Sequence, residues 1–294
     1  YQARNQVTFV QKWRQALDSH APNGERPLLE AHRGARVRIL WLEACVITPD
    51  QDSGSLRTLR LLRLLLKLGC KVTFAADNLL SDEPYGQQLR DEGIEVLHAP
   101  HVNSMGEYLR DHGGHYDVVT LCRHYIAIQH VDLLREHHPC TQIWFDTIDL
   151  HYLRLRRQHE LDQAPATLKM AELAHREECE VISKSDLTIV VSEVEVAELA
   201  NEVPDAKVAI ISNIHEVAHD RPGFDDRTGV MFVGGFQHPP NIDAVEYYAR
   251  EIWPLLTELC PDLETYIIGS RMPDRLKKLG ESKGLKMLGF VEDL

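Results

Sequence analysis

Short apolar, β-branched runs recur along this chain, and the spacing between them leaves room for a helix or a loop. This alternation constrains the fold more than any other feature. Near-continuous apolar strands are typical of a parallel sheet that is covered on both faces. Strands that alternate with helices form right-handed βαβ units, so the pattern predicts an α/β fold. The strands predicted up to residue 211 are Val37–Leu42, Lys71–Ala75, Ile94–Leu97, Asp117–Leu121, Gln142–Asp146, Leu187–Val191 and Lys207–Ile211.

The alternation is interrupted at His219–Arg227, a polar stretch that includes Pro222 and Gly223 and is typical of a linker. It then resumes with a long helix over about 241–259, a short helix near Asp274–Leu279 and three more strands. Those strands are predicted at Val230–Val233, Glu264–Ile268 and Leu285–Leu288.

We therefore predict two Rossmann-like parallel-sheet domains. The first covers 35–217, a linker covers 218–228, and the second covers 229–294. A doubly wound domain usually has about five or six strands, so we expect the second domain to be incomplete. The chain also begins at Tyr1 instead of Met, which suggests a piece of a longer product.

A helical leader and a linker precede the first domain, over residues 1–34. Pro22, Gly24 and Pro27 end its helical pattern. We expect this helix to be a packing appendage, or the tail of a preceding domain. Its apolar face is predicted from Val7, Phe9, Val10, Trp13 and Leu17.

Composition narrows the function classes. The chain has 294 residues with 32 basic and 45 acidic side chains, and its net charge of −13 disfavours a nucleic-acid partner. Its six cysteines form no C-x-x-C pair, which indicates free, buried thiols in a reducing compartment. No apolar run reaches the roughly 18 residues of a membrane span, and no signal peptide is visible. We therefore predict a cytoplasmic protein.

The turn after the first strand, Pro49–Ser55, leads into a leucine-rich helix. Gly54 and Ser55 could contact a ligand there, because ligands bind at the carboxyl ends of parallel strands. The alternative is that Asp52 or Ser53 simply caps the helix.

The helix that follows carries a basic stripe among eight leucines. The stripe is predicted to be a solvated face, with contact to an anionic membrane surface or a lipid-linked substrate as the alternative. Its members are Arg57, Arg60, Arg63 and Lys67.

Chemistry-bearing side chains follow the fifth strand, in Phe145–Arg154. Asp149, His151 and Arg154 gather a carboxylate, an imidazole and a guanidinium at one strand end, as an active site requires. The alternatives are that Asp149 is a helix N-cap and that His151 is structural.

The second domain opens with another turn that could bind phosphate, in which Gly234 and Gly235 precede His238 and two prolines. Ile268–Ser270 is again a strand that runs into a tight turn. The sixteen histidines show no H-E-x-x-H pattern, so we expect neither a metal site nor a cofactor.

These blocks resemble a known family. FVGGFQHPPNIDAVEYYAREIWPLL, TYIIGS and LGFVEDL resemble the start of the donor domain in bacterial group 1 glycosyltransferases, which are retaining family 4 enzymes of GT-B fold. PDQDSGSLRTLRLLRLLLKLGCKVTF, FDTIDLHYLRLRRQHE, DLTIVVSEVE and ISNIHE resemble blocks of its first domain in the same order. The resemblance covers residues 35–294, and the leader resembles a connection to a fused glycosyltransferase module.

The resemblance implies a cleft between an acceptor-side domain and a domain that binds a nucleotide-diphosphate sugar. The acceptor would be a saccharide or a lipid-linked saccharide in surface polysaccharide synthesis, and no metal is needed. Peripheral contact with the inner membrane is predicted from the basic stripe alone. His151 and Asp149 would act in catalysis, and Arg123 and Arg154 would lie on the acceptor side. The residues implied in donor binding are Gly54, Ser55, Gly234, Gly235, His238, Ser270 and Arg271.

The chain departs from this family in two ways. Residues 236–241 lack the basic pair that many relatives use for the diphosphate, which leaves Arg271 as the candidate. The family's pair of glutamates that contacts the donor would fall beyond Leu294, so the chain is expected to be inactive alone. Two other functions therefore stay open: a non-catalytic GT-B-like scaffold or binding module, and a GT-B-fold sugar-nucleotide epimerase.

Overall fold

The computed structural model describes residues 2–18, 20–22, 24–25, 27–215 and 223–291. It confirms the α/β class, because the strands of the described residues form a seven-stranded and a three-stranded sheet, both parallel. The chain divides into two compact units, Tyr1–Ile47 with Leu59–Asn213, and Thr48–Thr58 with Ile214–Leu294. The boundaries predicted at 217 and 229 stay predictions, and residues 216–222 of the predicted linker region lie outside the described residues.

The larger sheet confirms each strand predicted up to residue 211, to within two residues at either end. Its order is β3-β2-β1-β4-β5-β6-β7. The order reverses between β1 and β4, which is the point where doubly wound sheets bind ligands. The strands are β1 Arg38–Glu43, β2 Lys71–Ala76, β3 Glu95–Leu97, β4 Val118–Cys122, β5 Gln142–Asp146, β6 Leu187–Val190 and β7 Val208–Ile210.

Helices cover this sheet, so its central strands are buried along their length. Every residue of β4 is buried, and Leu40, Leu42 and Phe145 of its neighbours are fully enclosed. This is why the apolar runs are almost continuous in the sequence. The helices up to residue 202 are α1 Gln2–Leu17, α2 Pro27–Ala31, α3 Ser53–Lys67, α4 Tyr85–Asp91, α5 Met105–His112, α6 His124–His137, α7 His151–Asp162, α8 Pro165–Lys184 and α9 Glu193–Glu202.

The smaller sheet has the order β10-β9-β8, with β8 at Val230–Val233, β9 at Thr265–Ile268 and β10 at Leu285–Gly289. The single helix predicted over 241–259 is interrupted. A π-helical turn at 248–252 separates α10 from α11, because Pro254 has no N–H for the carbonyl four residues earlier. The helices are α10 Pro239–Tyr247, α11 Trp253–Leu259 and α12 Asp274–Lys277.

The leader helix is confirmed as α1, but its apolar face is not covered by the described residues. Val7 is 57% exposed, Phe9 55% and Trp13 48%, and no residue of α1 is buried. Within the described residues, α1 is therefore held by its own hydrogen bonds and not by packing.

Two expectations about side chains are wrong. Arg57 of the predicted basic stripe is only 2% exposed and Arg63 is held by Glu92, although Lys67 is exposed, so the stripe as a whole is not a solvated face. α3 turns Arg57 inward together with Leu59 and Leu62. The six cysteines are free as predicted, yet Cys45, Cys140 and Cys260 are exposed. No helix in the described ranges is long and apolar enough to cross a membrane.

The Arg63–Glu92 pair predicts a pH dependence of stability. Arg63 donates to both carboxylate oxygens of Glu92, Nε at 2.7 Å and Nη2 at 2.6 Å, and this holds the pKa of Glu92 below its usual range. The pair therefore stabilises the fold above the unfolded-state pKa of about 4.3, and the contribution is lost as pH falls through the folded pKa.

We expect the Glu92→Gln variant to have a lower urea midpoint than the wild type at neutral pH, with the difference shrinking as the pH falls through the folded-state pKa of Glu92. Circular dichroism at a series of pH values measures it, with the exposed Glu160→Gln on α7 as control. A difference that stays constant with pH would contradict this prediction.

Candidate functional site

Two strained loop residues stand at the carboxyl ends of adjacent strands. Arg123 follows β4 with φ of 66°, and Ile148 follows β5 with φ of 64°. Residues other than glycine rarely adopt this left-handed region, and they cluster at functional sites. The Arg123 N–H donates to the carbonyl of Asp146 at 3.0 Å, and its Nε lies 3.4 Å from Oε2 of the buried Glu43. The loops after β4 and β5 are therefore tied together at the edge where the sequence placed the site.

The structure brings together the three candidates predicted after β5. His151 is the first residue of α7 and is 8% exposed. Its Nδ1 lies 3.2 Å from the carbonyl oxygen of Asp149 and 3.7 Å from its Oδ1. Nε of Arg154 donates to Oδ2 of Asp149 at 2.7 Å. Asp149 is thus a shared partner that orients an imidazole on one side and a guanidinium on the other.

A buried glutamate that the sequence analysis missed fixes the backbone of this site. Glu178 of α8 is fully buried, and its two carboxylate oxygens accept the N–H groups of His151 at 2.8 Å and of Tyr152 at 3.0 Å. The N-cap residue Leu150 has no side chain that could do this. Glu178 therefore caps α7 from another helix and satisfies two donors that helix starts leave unpaired.

Glu195 of α9 extends the same support. It accepts the N–H of Leu150 at 3.1 Å and the N–H of Val191 at 2.8 Å. The sequence held one signal for Glu178, because it continues the buried face of α8 at helical spacing with Ala171, Ala174 and Val181. A charged residue at such a core position needs partners.

Further polar groups surround His151. The ring of His124 lies 4.9 Å from the His151 ring, and His124 Nδ1 is 2.8 Å from Oε2 of Glu177. Tyr125 packs 6.0 Å from His151, and burial raises the pKa of its hydroxyl, which therefore stays protonated.

Two groups in the described part of the chain have the spacing of metal ligands. One is His124, His151 and Glu178, and the other is His175, Cys179 and Glu202. In the first group both oxygens of Glu178 already accept backbone N–H groups, so an ion there would compete with the cap of α7.

The turn before α3 shows the capping interaction that the sequence left open. Oδ1 of Asp52 accepts the N–H of Ser55 at 2.8 Å, which is an N-cap, and the Ser55 hydroxyl donates to Oδ2 at 2.6 Å. Ser55 is buried and Gly54 is half-buried. Their predicted role in donor binding stays a prediction.

In the second unit, the turns after β8 and β9 touch through their backbones. The N–H of Gly234 donates to the carbonyl of Ile268 at 3.0 Å, and that of Phe236 donates to Ser270 at 3.1 Å. A Cβ placed on Gly269 would lie 1.9 Å from the carbonyl oxygen of Gly234. Gly234, Gly269 and Ser270 therefore form one surface at the carboxyl edge of this sheet, and the contact excludes a side chain at 269.

The start of α10 is a weaker anion site than its position suggests. Pro239 and Pro240 occupy its first two positions, so two of the N–H groups that usually point out of a helix start are missing. Nδ2 of Asn241 donates to the carbonyl of Gly235 at 2.9 Å and holds the turn. The exposed His238 precedes the helix and makes no capping bond with its side chain.

Arg271 supplies a positive charge beside this turn. It is exposed, its φ is 55°, and its Nε lies 2.5 Å from the side-chain carbonyl of Gln237 in the amide orientation that satisfies both groups. The guanidinium therefore stands next to a segment, residues 236–241, that has no Arg or Lys of its own.

No protein-family model matches the chain, and no curated protein does. Solved structures resemble it. An O-GlcNAc transferase mutant of Thermobaculum terrenum aligns with 88% of this chain and 46% of its own, at 12% identity and a TM-score of 0.51. A putative UDP-N-acetylglucosamine 2-epimerase of Listeria monocytogenes aligns with 88% of this chain and 70% of its own, at 11% identity and a TM-score of 0.47. A TarM mutant of S. aureus aligns with 59% of this chain and 33% of its own, at 14% identity and a TM-score of 0.41.

The likeness to the O-GlcNAc transferase shows the fold, which is of the GT-B type with two Rossmann-like units. The chain spans about a third of the TarM chain and less than half of the transferase chain.

The contact at Gly269 predicts a sharp difference between two neighbouring glycines. Gly269→Ala should lower the free energy of unfolding by at least about 2 kcal/mol, because the methyl group would overlap a backbone oxygen. Gly235→Ala is the matched control and should change it by less than about 0.5 kcal/mol, since its Cβ would meet only ordinary contacts. Urea unfolding measures both, and equal losses would contradict the geometry.

Glu178→Gln tests the cap of α7. The amide can accept only one of the two N–H groups and turns its own donors toward the other, so we expect a loss of about 2 kcal/mol. Glu180→Gln, two residues along α8 on the exposed side, should cost less than about 0.5 kcal/mol. If the two variants unfold at the same urea concentration, the carboxylate does not support α7.

Proposed function

We propose that this chain carries acceptor-side and donor-side units of a retaining glycosyltransferase that resembles bacterial family 4. It would move a hexosyl group from a nucleotide-diphosphate sugar to a saccharide or lipid-linked acceptor in surface polysaccharide synthesis. The observation that carries the proposal is that FVGGFQHPPNIDAV forms a strand, a turn and a helix, with Arg271 beside the turn. A cytoplasmic location and contact with the inner membrane belong to the same proposal.

Charge supports the donor-side assignment. A leaving nucleoside diphosphate must be neutralised as its bond to the sugar breaks. The guanidinium of Arg271 can bind two phosphate oxygens at once, and this makes up for the donors that Pro239 and Pro240 remove from α10. Gly234, Gly235, His238 and Ser270 would border the phosphates and the nucleoside, and no metal or other cofactor is needed.

The fixed orientation of His151 supports the acceptor-side assignment. The backbone N–H of His151 donates to Glu178, and its ring contacts the carbonyl of Asp149 and the ring of His124. Its imidazole therefore has a fixed direction. A fixed imidazole can position a sugar hydroxyl or move a proton during transfer. Arg123 pairs with Glu43, and Arg154 pairs with Asp149. The N–H groups of both arginines would therefore point in fixed directions toward the acceptor sugar, and the paired carboxylates would compensate much of their charge.

Calorimetric titration of the chain with UDP, GDP, TDP and NAD tests the donor side. We expect one nucleoside diphosphate to bind and NAD not to bind. Arg271→Ala should weaken that binding by roughly tenfold or more, the effect of losing a charge-assisted hydrogen bond. Arg275→Ala is the control, because this exposed arginine pairs with Glu246. Binding of NAD, or no effect of Arg271→Ala, would overturn the donor assignment.

His151→Ala tests the catalytic assignment. In the full-length protein we expect it to abolish transfer of labelled sugar from the nucleotide sugar, while affinity for the nucleoside diphosphate stays within a few-fold. The exposed His137→Ala on α6 serves as control. Turnover by the His151→Ala variant at the wild-type rate would remove His151 from the site. Interconversion of the nucleotide sugar without an acceptor would instead favour the epimerase, and failure to bind any nucleotide would favour the scaffold.

A further inference from the structure

A second cluster of metal-ligating side chains lies where α8 meets α9, and the proposed transfer uses none of its members. His175 and Cys179 are four residues apart on α8, so they lie on one face of the helix, and Glu202 is the last residue of α9. Nε2 of His175 is 2.7 Å from Oε2 of Glu202. One ligand atom from each of the three residues lies within 4.8 Å of the others.

We propose that His175, Cys179 and Glu202 form a Zn²⁺ site. Zn²⁺ takes thiolate, imidazole and carboxylate ligands together, whereas Ca²⁺ and Mg²⁺ require oxygen ligands. Bonds of about 2.0–2.3 Å in a tetrahedron place the ligand atoms roughly 3.5 Å apart. The spacing found here reaches that value through small side-chain adjustments, and water would fill the fourth position.

The surroundings orient the ligands as metal sites require. The ring of Tyr152 packs edge-on against His175, with ring centroids 4.8 Å apart, and its hydroxyl donates to Oε1 of Glu198 at 3.2 Å. Arg156 lies 3.9 Å from Oε1 of Glu202, which leaves Oε2 directed at His175. Such outer contacts fix the direction of ligands around a metal.

Charge and access also favour a cation. Glu172, Glu198 and Glu202 bring three carboxylates to the neighbourhood of the cluster, and a thiolate would add a fourth negative charge, against the cations of Arg156, Lys169 and Arg176. The side chain of His175 is 25% exposed and that of Glu202 is 30% exposed, so an ion can reach the ligand atoms from solvent. The competing group around His151 lacks this freedom, because its carboxylate is committed to α7.

An ion bound here would connect two helices that otherwise meet through side chains. Zn²⁺ binds the folded arrangement of ligands far better than separated ones, so binding would stabilise the first unit. The site therefore predicts a zinc-dependent stability that is independent of nucleotide binding.

Titration with Co²⁺ and Zn²⁺ tests the proposal on the reduced, chelator-treated chain. We expect one equivalent of Co²⁺ to produce thiolate-to-metal charge-transfer absorption that Zn²⁺ abolishes, and Zn²⁺ to raise Tm. Cys179→Ser should remove that absorption, and Glu202→Gln should weaken Zn²⁺ binding by more than roughly tenfold, the lower end of what outer contacts alone contribute. Cys140→Ser, which replaces an exposed thiol elsewhere in the first unit, should change neither.

Circular dichroism of each variant without metal verifies that it is folded. Absence of stoichiometric binding would overturn the proposal. So would charge-transfer absorption that persists in Cys179→Ser, or Zn²⁺ binding that survives this variant and is lost in His124→Ala, which would assign the ion to the other group. Because these readouts involve no nucleotide, their failure is distinct from a failure of the proposed transferase function.

Discussion

The loop after β5 depends on two buried carboxylates. A backbone N–H that is removed from water must find an acceptor, and the start of α7 offers none from its own sequence. Glu178 and Glu195 supply the acceptors from α8 and α9. The position of His151, and through it the contact of Asp149 with Arg154, follows from this arrangement. Both carboxylates are buried, so they remain favourable only while those N–H groups face them.

Most of the fold could be predicted because its strongest signal is local. A strand buried on both faces must be apolar almost throughout, so β4, in which every residue is buried, stands out from the letters alone. The wrong prediction about the basic stripe concerns a partner far along the chain. The spacing of the basic residues on α3 is helical, but the interaction that holds Arg63 comes from Glu92, 29 residues later. Periodicity shows which face a residue occupies, and it does not show what that face meets.

In the candidate site, too, local features could be predicted from the sequence and distant partners could not. Asp149, His151 and Arg154 lie within six residues of one another after a single strand, so their closeness could be predicted from the sequence. It could not reveal Glu178, because a glutamate on a helix usually lies in solvent, and only its core position marks it. At Asp52 the sequence had left helix capping open as an alternative, and the hydrogen bond from the Ser55 N–H shows that Asp52 caps α3. Gln237 follows β8 and Arg271 follows β9, so the contact between their side chains could not be predicted from the sequence.

The paired turns of the second unit have a mechanical consequence. Two backbone hydrogen bonds join them, and the gap between Gly234 and Gly269 is already closed to any side chain. Neither turn can move away from the other without breaking these hydrogen bonds, so the two turns form one rigid surface. A molecule bound at Gly235 would therefore contact a turn that is held in place by β9 as well as by β8. Because this surface is already ordered before anything binds, binding would not have to include the entropy cost of ordering two separate loops.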